Sequence, residues 1–157
     1  MSDAAAVLNK VLDAEHAAVY AYGVIGARGA SSQRSAATAA FNAHRARRDQ
    51  LRGLVTARNA TPSEAAPGYT LPFPVVTPAD AGRLAAHVED RVTSAYLELA
   101  SVDEPSLRRL AALAMQECAV RAYSWRPTIQ PLPGWPAGPP TPSSARPSTS
   151  PPVSLSQ

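Results

Sequence analysis

The chain has 157 residues, 45% of them hydrophobic, and a formal net charge of +3, enough for one domain with its own core and far from the charge of a polyelectrolyte. Aromatic residues make up only 6% while alanine is abundant, which suits closely packed helices better than a β-sandwich. The single Cys118 excludes an intrachain disulfide and a CxxC zinc site.

Proline sets the boundaries of the elements, because it breaks helix interiors. None occurs in residues 3–61, 79–104 or 106–126, and ten of the sixteen fall between Pro127 and Pro152. The first window splits at "ARGASSQR", where Gly29 is a C′ residue and Ser31 or Ser32 an N-cap. This predicts helix one from about Asp3 to Arg28 and helix two from about Gln33 to Arg58. "NATPSEAAPGYTLPFPVVT", residues 59–77, holds four prolines and reads as an extended connection. In "TPAD", Thr77 is the N-cap, Pro78 the first helical residue and Asp80 the third, so helix three runs from Pro78 to about Ser101. "VDEP" opens helix four, which ends near Arg126.

The short turns make helices one and two, and three and four, antiparallel neighbours. The 19-residue connection reaches about 60 Å when extended. A helix of this size is only about 36 Å long, so the connection can run the length of the bundle and set helix three parallel to helix two. One long crossover of this kind is the ferritin-like arrangement. The fold expected is therefore an all-α, ferritin-like four-helix bundle over residues 1–126. Residues 127–157, rich in Pro and Ser, are expected to be an extended or disordered tail, with Ile129, Leu132 and Trp135 able to pack back onto the bundle.

Each inward stripe, read at 3,4 spacing, is interrupted near its middle by a polar residue. The stripes are Leu8, Leu12, Glu15, Val19, Tyr22; then Ala37, Phe41, His44, Arg48, Leu51, Val55; then Ala85, Glu89, Val92, Tyr96, Leu99; then Leu110, Ala114, Glu117, Arg121. Glu15, His44, Glu89 and Glu117 would converge at mid-depth. Buried carboxylates need cations or protons. A metal ion supplies that charge through carboxylate and imidazole ligands. Arg48 and Arg121, each one turn from the cluster, supply it equally well.

The pattern resembles that of ferritin-like di-iron proteins, in which two helices give one Glu each and two give a Glu-x-x-His pair. Glu15 and Glu89 match the single glutamates, His44 the histidine of the second helix and Glu117 the Glu of the fourth. Phe41 and Val120 stand where the remaining Glu and His would fall, so the resemblance implies a degenerate metal site. "EHAAVYAYGVIGAR", "AHRARRDQL", "YTLPFPV" and "VRAYSWR" are similar to an uncharacterised ferritin-like domain family of high-GC bacteria, a resemblance that covers roughly residues 5–126.

Two functional readings follow. In the first the chain is a non-enzymatic binding or scaffold module whose polar core is held by Arg48 and Arg121. In the second it is a metal-binding or redox protein that holds iron or manganese with the three glutamates and the histidine of the cluster. Chemistry favours the first, because a nearby guanidinium repels a metal. An exposed alanine-rich face would allow a homodimer. The arginines of "HRARRDQLR" spread around their helix, which argues against a nucleic-acid surface. His16 is expected on a helix flank and His87 toward solvent. The N-terminal residues lack the pattern of a signal peptide, no apolar run spans a membrane, and the expected compartment is the cytoplasm. No nucleophile–base pair, phosphate loop or dinucleotide fingerprint is present, and no partner for the tail is indicated.

Overall fold

The computed structural model describes residues 3–128 and 132–135. These form four helices and no strand: α1 (Asp3–Arg28), α2 (Arg34–Thr56), α3 (Pro78–Ala100) and α4 (Pro105–Trp125), with a 3₁₀ turn at Ser31–Gln33. The first proline-free window holds α1 and α2, the other two hold α3 and α4 with a proline at each first residue, and the helix ends fall within two residues of those expected. Most of the tail expected over residues 127–157 lies outside the described residues. Within it, Leu132 and Trp135 are each 63% exposed, so these two side chains do not pack into the bundle.

Local chemistry sets the helix ends. The Gly29 N–H donates to the Ile25 carbonyl at 2.8 Å, and a Cβ at Gly29 would lie only 2.8 Å from that same oxygen, so the turn requires glycine. The cap that follows differs from the serine expected. The Ala30 N–H donates to Gln33 Oε1 at 2.8 Å, and Gln33 Nε2 donates to the Pro78 carbonyl at 3.2 Å, tying the start of α2 to the start of α3. At α3 the capping box forms as its sequence predicts: Asp80 N donates to Thr77 Oγ1 at 3.1 Å and Thr77 N to Asp80 Oδ2 at 3.0 Å.

Helix α1 packs against α2 and α3, and α3 packs against α4. Tyr22 bonds Glu89 while Glu15 bonds Tyr96, which fixes α1 and α3 as antiparallel. With the short turn at residues 29–33, α2 and α3 then run in the same direction. The connection makes this order feasible by lying along α1. Asn9 Nδ2 donates to the Thr61 carbonyl at 3.0 Å, Ser63 N donates to Asn9 Oδ1 at 2.9 Å, and Tyr69 meets Tyr20 further along. It ends with Phe73 edge-on to His87 at 6.4 Å and under Arg83 at 4.4 Å.

His16, expected on a flank, is buried at 6% exposure because its Nε2 meets the Ser63 carbonyl at 3.1 Å beneath this connection. His87, expected in solvent, is half-buried against Phe73 for the same reason. Covered by α2, α3 and the connection, α1 buries more than one stripe: Leu8, Val11, Leu12, Ala18, Tyr22 and Ile25 are all inside. Leu51, Leu84, Leu99 and Leu107 complete the core. Each buried leucine contributes about 1.5–3 kcal/mol by leaving water. Among the described residues, no helix is long and apolar enough to cross a membrane.

Candidate functional site: a buried ionic layer

At mid-depth α1, α2 and α3 each place one polar residue in the core. Glu15, His44 and Glu89 are 1%, 1% and 0% exposed. The imidazole lies between the carboxylates. Its Nδ1 is 2.6 Å from Glu15 Oε2 and its Nε2 is 3.1 Å from Glu89 Oε1. Two tyrosines close the layer reciprocally. Tyr96 Oη donates to Glu15 Oε1 at 2.6 Å, and Tyr22 Oη donates to Glu89 Oε1 at 2.6 Å, with the Tyr22 ring stacked 5.3 Å from that of His44. Each glutamate is followed seven residues later by the tyrosine that serves the other, a spacing that antiparallel helices turn into two crossed pairs. From α4, Arg121 Nε donates to Glu89 Oε1 at 2.9 Å and Nη2 approaches Cys118 Sγ at 3.3 Å.

The electrostatics follow from this geometry. Both imidazole nitrogens face carboxylate oxygens, so both act as donors only when His44 is an imidazolium. Burial alone would lower its pKa, but the hydrogen bonds and charges of Glu15 and Glu89 more than offset that and raise it to about 9. For Glu89, burial raises the pKa, and His44 with Arg121 reverses the shift and holds it below the ordinary carboxylate value. Burial, then the neighbouring carboxylate charge, pushes the Tyr22 and Tyr96 hydroxyls and the Cys118 thiol well above their usual ranges, so all three stay protonated. Two carboxylates are thereby balanced by one imidazolium and one guanidinium.

Two of the residues expected in this layer are elsewhere. Glu117 is on the surface with a half-exposed side chain, bonded to Arg47 Nη2 at 2.8 Å. The inward position of α4 at this height is Cys118, one residue and about 100° further round. Val120, in the expected histidine position, is 66% exposed for the same reason. Arg48 turns away to Asp49 at 2.8 Å and neutralises nothing in the core, so that role belongs to Arg121 and His44. The rest of the basic run is also engaged: Arg52 holds Glu64 and Arg45 lies over Phe41 at 5.7 Å.

The donor set does not fit a two-metal centre. Its three members lie in a line, carboxylate–imidazole–carboxylate, instead of facing one point, and among the described residues no group of three or more His, Cys, Asp or Glu is arranged to hold a metal ion. One buried acceptor, Glu89 Oε2, has no hydrogen-bond partner. A single free oxygen is far from the ligand set two ions require.

No curated protein matches the chain. Among solved structures, the chain is similar to the conserved hypothetical protein rv2844 from Mycobacterium tuberculosis, with 33% identity and a TM-score of 0.77 over 81% of this chain and 98% of the other. The profile of a domain of unknown function, DUF4439, matches residues 7–137, which take in α2, α3, α4, all of α1 but its first turn, and every member of the buried layer. The chain belongs to the DUF4439 family.

Proposed function

We propose that residues 1–126 form a ferritin-like bundle that acts as a non-enzymatic binding module, with residues 127–157 as an extension of it. The parallel α2–α3 order across one long connection supports the ferritin-like assignment. The observation that carries the functional reading is the closed charge balance of the core: Glu15 and Glu89 are matched by His44 and Arg121, and both nitrogens of His44 are engaged. Apart from Glu89 Oε2, groups so engaged have no open coordination position, and His44 has no free base to offer a substrate.

A second reading, iron or manganese bound through Glu15, His44 and Glu89, draws on the unpartnered Glu89 Oε2 alone. Elemental analysis of protein from cells supplemented with iron and manganese separates the two readings. The expected result is substoichiometric metal and no change in melting temperature on adding Fe²⁺, Mn²⁺ or Zn²⁺. About one metal ion per chain, lost in both His44→Ala and Glu89→Ala, overturns the proposal.

A further inference from the structure

A groove of about 590 Å³ runs between α1 and α3, beside residues 69–72 of the connection. None of the charged residues of the buried layer lines it. On the α1 side its floor is alanine: Ala14, Ala17, Ala18 and Ala21 recur at 3,4 spacing, facing Ala95 and bulkier apolar residues of α3. Methyl groups leave open the space that leucine would fill. One end has an aromatic wall, Tyr20 and Tyr69, with ring centroids 5.5 Å apart. The volume is in the range typical of small-ligand sites, about 300–1,000 Å³, and an apolar floor with an aromatic wall and polar groups at its edges suits an amphipathic ligand.

Charge is distributed unevenly along the groove. The Tyr22–Glu89 and Glu15–Tyr96 contacts set the register of the two helices, which brings Arg91 level with Tyr20. Arg91 is exposed on the rim and makes no hydrogen bond or ion pair among the described residues. At the other end Lys10 is already paired with Glu98, and Asp13 adds a carboxylate. Seven residues separate the Glu98 level from the Arg91 level, or about 10 Å along the helix. An anionic group is therefore favoured at the Tyr20–Arg91 end and disfavoured at the other.

From this arrangement we infer that the groove binds small organic anions with an aromatic or apolar body, the anionic group on Arg91 and the body on the alanine floor against Tyr20 and Tyr69. The inference deepens the reading of the chain as a binding module and rests on it. The two fail separately, because metal analysis tests the core and the titration below tests the groove.

Two fluorescent probes with the same aromatic body provide the test, the anionic 8-anilinonaphthalene-1-sulfonate and the neutral N-phenyl-1-naphthylamine, each titrated into the full chain. The sulfonate is expected to saturate at one site per chain. Arg91→Gln is expected to weaken the sulfonate about tenfold, as for loss of a charged hydrogen bond, while leaving the neutral probe within about twofold. Ala17→Leu fills the floor and is expected to abolish saturable binding of both. Tyr20→Ala, at a surface position, is expected to weaken both several-fold. Val120→Ser, on the exposed apolar side of α4, is expected to change neither. Circular dichroism establishes that each variant is folded. Absence of a saturable site in the wild type, an Arg91→Gln effect that is absent or equal for the two probes, unchanged binding in both Ala17→Leu and Tyr20→Ala, or loss of binding in Val120→Ser overturns the inference.

Discussion

Alkaline pH is expected to withdraw the stability that the His44 imidazolium contributes. In the fold its pKa is held at about 9, against 6.5 for an ordinary imidazole. Between those two values the native protein carries a proton that the unfolded chain has lost, so stability falls as pH rises. The contribution is complete below about pH 6.5, declines by up to about 1.4 kcal/mol per pH unit above it, and is gone once the pH has passed about 9. Over the whole span this is on the order of 3 kcal/mol, a large part of the roughly 5–15 kcal/mol that holds a domain folded. Urea unfolding followed by circular dichroism, in half-unit steps from about pH 6 to about pH 8.5, measures it in wild type and His44→Gln. Stopping near 8.5 keeps the tyrosines out of the slope, and Cys118, which begins to ionise in the unfolded chain within that range, acts in both proteins and cancels in the difference. His87, lowered by burial and by the Arg91 charge, acts in both proteins and cancels in the difference. At pH 6.5 His44→Gln is expected to be less stable by about 3–5 kcal/mol, because Glu15 and Glu89 lose the cation between them. The gap then narrows as the wild type loses its proton. A gap constant to within about 0.5 kcal/mol across the series refutes a charged His44.

The same denaturation assay checks three further expectations. Tyr96→Phe removes the hydroxyl that donates to Glu15 Oε1 and is expected to cost about 1–3 kcal/mol. Glu89→Ala leaves Arg121 without its carboxylate and His44 with only one and is expected to cost about 3–5 kcal/mol, whereas Glu117→Ala at the surface changes stability by less than about 1 kcal/mol; the reverse order would put Glu117 in the layer. Asn59 ends α2 in the left-handed region at φ 54°, so Asn59→Val is expected to cost about 1–2 kcal/mol and Asn59→Gly close to nothing.

Helix positions were legible because proline and glycine act locally: Gly29, Pro78 and Pro105 mark boundaries whatever packs around them. The α3 stripe was legible too, since Ala85, Glu89, Val92, Tyr96 and Leu99 are all buried. Helix α4 was not. From Ala114 the inward stripe can continue at +3 to Glu117 or at +4 to Cys118, and both fit helical spacing. The +3 continuation puts in the core a carboxylate that in fact faces Arg47 across the surface. The packing of α4 against α3 decides the choice, and no local signal carries it. Arg48 went astray for the same reason, as a long side chain one turn from His44 can turn inward or toward Asp49. The tyrosine donors left a trace that was readable in principle, the matching Glu15–Tyr22 and Glu89–Tyr96 spacings, which acquire meaning once α1 and α3 are known to be antiparallel.

What neutralises the two glutamates decides which variable controls the fold. A layer neutralised by metal gains stability as RT ln(1 + [L]/Kd), so the protein weakens when the ion is chelated. A layer neutralised by an imidazolium and a guanidinium is indifferent to chelators and coupled to pH instead. The crossed tyrosine bonds reinforce that difference, since each occupies a carboxylate oxygen, one of them on Glu89 Oε1 together with His44 and Arg121. For a metal to enter, those bonds would have to break and the His44 proton leave, adding the loss of the network to the cost of dehydrating the ion. Arg121 would remain beside the incoming charge. Unfolding midpoints measured with and without EDTA, at pH 7 and at pH 8.5, therefore separate the two kinds of core. The arrangement found here predicts no response to the chelator at either pH and a lower midpoint at pH 8.5. A midpoint that drops with EDTA and is restored by Mn²⁺ would mean that the ionic layer is not closed.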